Sequence, residues 1–239
     1  NELSYWTDLA QTLEQGLFDG LFIADITGVY DVYQNGLDLT LKESIQLPSH
    51  DPSTLVSAMA AVTQHLGFGV TVNLSYESPY QFARRFASLD HLTHGRIGWN
   101  IVTGYLDSAE RLIGQKGLKD HDLRYEQAEE FLELCYKFWE GSWEDDAVQK
   151  DKLNRVFTDP SKVHAIQHQG KFFQSQGVFQ VSPSIQRTPV LYQAGASSKG
   201  LAFATQHAEA MFIGADTPEK LKQQVDKIRA LALSHGRDE

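Results

Sequence analysis

The chain has 239 residues, of which 41% are hydrophobic and 22% charged, and its formal net charge at pH 7 is −10. This length suits one large domain or two small ones, with enough apolar residues for a sizeable core. The acidic balance argues against a nucleic-acid groove or a polybasic membrane face, because both require clustered lysine and arginine.

Helical and extended segments alternate along the chain. Hydrophobic spacing predicts helices over residues 5–18, 51–66, 78–95, 121–141, 197–208 and 217–236. Apolar runs predict strands over residues 20–25, 67–73, 96–104, 189–197 and 209–215. Asp51-Pro52 and Thr217-Pro218 supply helix starts, and Gly95 and Gly141 supply helix ends.

This alternation predicts βαβ units and a parallel sheet that is covered on both faces. An open doubly wound sheet and a (β/α)₈ barrel both fit, but the G-x-G-x-x-G of a Rossmann sheet is absent from the sequence. We therefore expect a single α/β domain over residues 1–239, a TIM (β/α)₈ barrel that is incomplete in this chain. A loop or hairpin insertion is expected at about 142–188, where an acidic run and a hairpin-like stretch break the rhythm.

The single cysteine and the lack of signal-peptide features at the start of the sequence favour a reducing compartment. Cys135 is the only cysteine, so neither a disulfide within the chain nor a cysteine-based metal site can form. The start has no basic region followed by an apolar one, which argues against a signal peptide. Residues 55–76 lack charged side chains but divide into a helix and a strand, which argues against a membrane span. A cytoplasmic location is expected.

Polar residues end four of the predicted strands, which is where α/β barrels hold their working groups. They are Asp25, Thr71, Asn73, Asn100 and Thr103, together with Ser197 and Ser198, which follow Gly195 at the end of the fourth strand. Each could be satisfied by neighbouring backbone, but four strands that end this way favour a shared ligand.

Two helix starts could bind an anion. In "QAGASSKG", Gly195 ends a strand and two serines open a helix, which places backbone N–H groups and hydroxyls together; plain capping by Ser197 or Ser198 is the alternative. In "HDLRYEQAEEF", His121 and Tyr125 are four residues apart and would share a helix face. They could clamp a phosphate, or Tyr125 could pack against the barrel while His121 is solvated.

Histidine pairs give no metal pattern. His91 and His94 are three residues apart, and His164 and His168 are four apart. Neither pair matches a motif such as H-E-x-x-H, so no metal is expected.

Several long motifs carry a family resemblance, among them "HLTHGRIGWNIVTGYLDSA", "YESPYQFARRFASLDHL", "HDLRYEQAEEF" and "TPVLYQAGASSKG". Over nearly all 239 residues the chain resembles the flavin-dependent monooxygenases of the nitrilotriacetate monooxygenase large-component type. This branch of the luciferase-like superfamily also contains the dibenzothiophene-sulfone and long-chain alkane monooxygenases.

The resemblance implies a TIM barrel that takes reduced FMN (FMNH₂) from an NAD(P)H:flavin reductase and forms a homo-oligomer. O₂ would give a peroxyflavin that oxygenates a small organic substrate. The resemblance implies that Asp25 and Thr71 contact the flavin ring or the ribityl chain, and that Asn100 and Thr103 line the pocket. It also implies that His121 and Tyr125 hold the ribityl–phosphate end. Ser197 and Ser198, which follow Gly195, would bind the phosphate. No catalytic residue is assigned.

The chain also departs from the family pattern. Family members are about twice as long, and the resemblance implies that the first strand and the last two β/α units are missing here. Tyr105 stands where some relatives carry histidine. One alternative is therefore a truncated, non-catalytic flavin- or partner-binding remnant. Another is a deazaflavin-dependent hydride-transfer relative, although the motif match is to the FMN branch.

Overall fold

The computed structural model describes residues 2–195 and 197–237. Its strands are β1 (Gly20–Ile23), β2 (Gly67–Asn73), β3 (Ile97–Val102), β4 (Val148–Asp151), β5 (Val156–Thr158), β6 (Ala165–Gln169), β7 (Gln174–Val178), β8 (Val190–Gln193) and β9 (Ala210–Met211). Its helices are α1 (Leu3–Gln15), α2 (Asp38–Lys42), α3 (Ser53–Ala61), α4 (Pro79–Thr93), α5 (Asp107–Leu112), α6 (His121–Gly141), α7 (Ser198–His207) and α8 (Pro218–Ser234).

Five strands form one parallel sheet in the order β1-β2-β3-β8-β9, which confirms the predicted α/β fold with a parallel sheet. The long segment between α6 and β8 forms two antiparallel hairpins, β4–β5 and β6–β7. The short helices α2 and α5 lie in stretches where the hydrophobic pattern predicted no helix.

The sheet is strongly curled, as a part of a barrel wall would be. Phe22 on β1 and Phe212, just after β9, have ring centroids 4.4 Å apart, although four strand spacings would separate them by roughly 19 Å in a flat sheet. Tyr192 contacts both rings from the concave face. Gly69 and Gly98 make room for these rings, because a Cβ on Gly98 would lie 2.6 Å from Cε2 of Tyr192.

An aromatic core lies on the convex face, between the sheet and helices α4 and α6. Trp99 is fully buried, with its ring centroid 4.2 Å from that of Phe82 and 6.0 Å from that of Phe131. The indole Nε1 donates to the Val72 carbonyl at 2.9 Å, so the side chain is both packed and hydrogen-bonded.

Glu14, near the end of α1, binds the loop that precedes β2. Its carboxylate accepts hydrogen bonds of 2.6–3.1 Å from the backbone N–H groups of Gln64, His65 and Leu66. Helix α3 ends at Ala61, earlier than the prediction of a helix to residue 66, and the backbone donors that would have extended it bind Glu14 instead.

We expect the stability that Glu14 contributes to fade in acid. The backbone N–H groups, that of His65 first, lower the pKa of its carboxyl, so the folded pKa lies below the unfolded one. The contribution is therefore present above the unfolded pKa and is lost as the pH falls through the folded pKa. Urea unfolding midpoints of the wild type and Glu14→Gln should differ more at pH 7 than at about pH 3. An equal difference at both pH values would contradict this assignment.

Candidate functional site

Thr71 and Asn100 form a buried polar pair near the C-terminal ends of β2 and β3. They are register partners, and Nδ2 of Asn100 donates to Oγ1 of Thr71 at 2.9 Å. The two residues are only 3% and 6% exposed, and Oδ1 of Asn100 is buried without a hydrogen-bond partner. A buried acceptor left unpaired is costly, so this oxygen is suited to a ligand donor.

The start of α7 forms a close-packed cradle with α6. Ser197 caps the helix, its Oγ accepting from the Gly200 N–H at 3.0 Å, and Ser198 is exposed in the first turn. A Cβ on Gly200 would lie 2.5 Å from the Tyr125 hydroxyl and 3.0 Å from Oγ of Ser197. The structure thus brings Tyr125 and Ser197 together around a glycine, at a helix N-terminus that favours anions.

A hollow of about 210 Å³ opens beside this cradle. Gly195 and Gly214 line it, and Lys227 on α8 adds a positive charge. Both the helix terminus and this lysine give the neighbourhood a positive potential, which an anionic group would find favourable.

The two parts of the site lie on adjacent strands. Asn100 on β3 is in register with Tyr192 on β8, three residues before Gly195. Since neighbouring strands are separated by about 4.8 Å, the Thr71–Asn100 pair and the cradle share one edge of the sheet.

His121 lies on the solvent side of the cradle. Its ring centroid is 5.1 Å from that of Tyr125, as expected for residues four apart on α6. Nδ1 of His121 contacts the Asp122 carboxylate at 3.0 Å, and the side chain is exposed.

Asp25 and Thr103 complete the residues singled out by sequence. Asp25 is half-buried two residues beyond β1, and burial raises the pKa of its carboxyl, opposed by the Ile26 N–H and reinforced by the charge of Asp51. Thr103 follows β3, and its carbonyl accepts from the Ser75 hydroxyl at 3.0 Å. Both lie at the C-terminal edge of the sheet, without a described hydrogen bond to the cradle.

Sequence reasoning missed Arg124, which organises the loop after β3. Arg124 is 8% exposed on α6 and donates to the Gly104 carbonyl. Gly104 has a φ of +78°, and a Cβ there would lie 2.7 Å from Nδ2 of Asn73 and 2.8 Å from the Tyr76 hydroxyl. Arg124 lies within the "HDLRY" motif, between His121 and Tyr125, so the motif could have drawn attention to it. A buried arginine needs a specific acceptor, which here is the Gly104 carbonyl.

Tyr105, which the same loop carries, meets Tyr30 from the loop after β1. The two hydroxyls are in hydrogen-bond contact, and Tyr105 is 56% exposed. Partial desolvation and then the bond to Tyr30 raise the pKa of Tyr105 to about 12, further above neutral pH than that of an ordinary tyrosine. Tyr105 thus presents a neutral hydroxyl at the C-terminal edge of the sheet.

Comparison with known proteins identifies the family of this chain. The family model described as luciferase-like monooxygenase matches residues 1–239. The chain belongs to this family. The resemblance drawn from the sequence motifs is therefore confirmed.

Named relatives are monooxygenases. The long-chain alkane monooxygenase of Geobacillus thermodenitrificans is 54% identical over 237 residues, which are 99% of this chain and 54% of that protein. Nitrilotriacetate monooxygenase component A of Aminobacter aminovorans is 34% identical, over 99% of this chain and 52% of its own length. A solved riboflavin lyase with modified FMN and riboflavin superposes with a TM-score of 0.95 at 44% identity, covering 100% of this chain and 53% of that one. The chain thus spans about half the length of these relatives.

The residues present fit a flavin mononucleotide. The unpaired Oδ1 of Asn100 is an acceptor for a ring N–H. The α7 N-terminus, Ser197 and Tyr125 supply the donors that a phosphate requires. These features support a flavin cofactor in this family member.

The histidine pairs have ordinary partners. His164 and His168 each contact a glutamate carboxylate, at 2.9 and 3.1 Å, and His91 contacts a backbone carbonyl at 3.0 Å. Over residues 2–195 and 197–237, no group of three or more His, Cys, Asp or Glu could hold a metal ion. Within the same ranges, no helix has the length and apolar character needed to span a bilayer.

Proposed function

We propose that the chain functions as an FMNH₂- and O₂-dependent monooxygenase, the large component of a two-component system. The observation that carries this proposal is the convergence of Tyr125, Gly200 and Ser197 at the start of α7, on the same sheet edge as the Thr71–Asn100 pair. One end of that edge suits a phosphate and the other suits a polar ring.

The phosphate end would be formed by residues of α6 and α7. Ser197 and Ser198 would donate with the first-turn backbone, Gly195 would allow the close approach, and Tyr125 with His121 would hold the ribityl–phosphate end. Lys227 would add a screened attraction across the neighbouring hollow.

The ring end would be formed by the strands. Asn100, held by Thr71, would accept from the ring, while Asp25 and Thr103 would line the same edge. When bound, reduced flavin supplies the reaction with O₂ that oxygenates the substrate; the protein positions it and excludes water. Tyr105, in hydrogen-bond contact with Tyr30, would offer a hydroxyl at the open end of the site.

The proposed partners follow from the relatives. Because one relative is a "component A", we infer a separate NAD(P)H:flavin reductase as the FMNH₂ donor, with O₂ and a small organic molecule as substrates. A homo-oligomeric assembly is a further proposal, which the family resemblance implies. The expected cytoplasmic location also stays a proposal. A non-catalytic remnant is not favoured, since the curated relatives are named monooxygenases.

Titration with FMN tests the proposed function. Ser197→Ala and Tyr125→Phe each remove one hydroxyl from the phosphate end, and each is expected to weaken FMN binding roughly tenfold. Flavin fluorescence quenching would measure the affinity. Ser234→Ala on α8 and Tyr5→Phe on α1 are matched controls, because both side chains are exposed and far along the chain from the cradle. Unchanged FMN affinity in both site variants would refute the assignment.

A further inference from the structure

Gln193, the first residue of the "QAGASSKG" motif, is a buried amide beneath the cradle. It is the last residue of β8 and is 4% exposed. Nε2 lies 3.4 Å from the Tyr125 hydroxyl, and Oε1 has no hydrogen-bond partner. A Cβ on Gly195 would lie 2.7 Å from that Oε1, so the amide fills the space directly under the turn.

The direction of the Tyr125 proton depends on this amide. A phenol has one O–H to donate and can also accept. When Nε2 of Gln193 donates to Tyr125, the phenol proton must point elsewhere, and both the Tyr125 hydroxyl and Oγ of Ser197 lie within 3.0 Å of the position of a Cβ on Gly200. If the amide turned over, Tyr125 would donate to Oε1 and would present lone pairs to an anion.

We infer that Gln193 is a positioning residue for the phosphate of the flavin, acting through the Tyr125 hydroxyl. A phosphate at the cradle selects the amide orientation that donates to Tyr125, because only that orientation leaves the phenol proton for the anion. This inference rests on the proposed function, since it assigns the cradle to FMN. The inference adds that the preference for FMN over riboflavin depends on Gln193, a side chain that lies beneath the cradle and does not itself contact the phosphate.

Riboflavin separates phosphate recognition from ring binding, because it lacks only the phosphate. Gln193→Met removes the amide at similar volume and is expected to weaken FMN binding roughly tenfold while leaving riboflavin binding unchanged. Gln193→Glu keeps the shape but places a carboxylate beside Tyr125, and a larger loss for FMN alone is expected. In a Tyr125→Phe background, Gln193→Met should add little, since the group it orients is gone.

The matched control is Gln186→Met. Gln186 donates to the Asp90 carboxylate at 2.6 Å, close to the start of β3, so its loss tests general destabilisation without touching the cradle. Equal losses for FMN and riboflavin in Gln193→Met, or no loss for either, would overturn the inference while the proposed function stands. A wild type that binds FMN no better than riboflavin would overturn it too. A wild type that binds neither would overturn the proposed function as well.

Discussion

Trp99→Ala is expected to lower the free energy of unfolding by about 4 kcal/mol, the largest effect of any single truncation proposed for this fold. The indole is fully buried among the rings of α4 and α6, so truncation leaves a cavity that these rigid neighbours cannot close. It also leaves the Val72 carbonyl without its donor. Urea denaturation followed by circular dichroism would measure the loss.

Two further variants separate the contributions of the buried ring and of the hydrogen bond to the free energy of unfolding. Trp99→Phe keeps an aromatic ring but removes the Nε1 donor, and a smaller loss of about 2 kcal/mol is expected. Tyr5→Ala removes a ring that is 62% exposed on α1, and a change within about 0.5 kcal/mol is expected. Similar losses for Trp99→Ala and Tyr5→Ala would mean that the convex aromatic core does not stabilise the fold as argued.

Gly200→Ala is expected to weaken FMN binding roughly a hundredfold and to lower the free energy of unfolding by about 1–3 kcal/mol, because the new Cβ would also lie 3.1 Å from Cα of Gly195 in a buried position. The new Cβ would lie 2.5 Å from the Tyr125 hydroxyl and 3.0 Å from Oγ of Ser197, so the phenol must move out of the cradle. The backbone itself is helical and tolerates alanine. Fluorescence titration with FMN and a thermal melt of the same sample give the two readouts.

Gly36→Ala provides the control for this substitution. A Cβ on Gly36 meets only a carbonyl at 4.0 Å, so neither binding nor stability should change. If Gly200→Ala bound FMN as tightly as Gly36→Ala, the phosphate would not lie between Tyr125 and Ser197, and the proposed site would need to be abandoned.

Features set by neighbours along the chain could be predicted from the sequence. The alternation of apolar strands and amphipathic helices gave the parallel sheet, and Thr217 caps α8 as predicted, accepting from the Lys220 N–H. The end of α3 could not be predicted in the same way. Its backbone donors are taken by Glu14, about 50 residues away, and periodicity contains no information on that contact.

In the candidate site, too, local sequence features could be predicted and contacts between distant residues could not. Strand-end polarity located Thr71 and Asn100, and the same criterion would have found Gln193, an amide on an otherwise apolar strand. Tyr125 was expected either to clamp a phosphate or to pack against the barrel, and the two are compatible. Its ring centroid lies 5.8 Å from that of Phe203, while its hydroxyl reaches the cradle. The orientation of the Gln193 amide depends on a residue 68 positions away, which no local pattern reveals.

The ring contact between Phe22 and Phe212 has a consequence for folding. These residues are the two ends of the curled sheet, yet almost the whole chain separates them in sequence. Phe22 gains its contact with Phe212 only after the residues up to β9 have been synthesised, although β2 pairs with β1 much earlier. A contact between residues this far apart in sequence forms slowly, because closing the intervening loop has an entropic cost. We therefore expect the aromatic cluster of Phe22, Tyr192 and Phe212 to form late in folding.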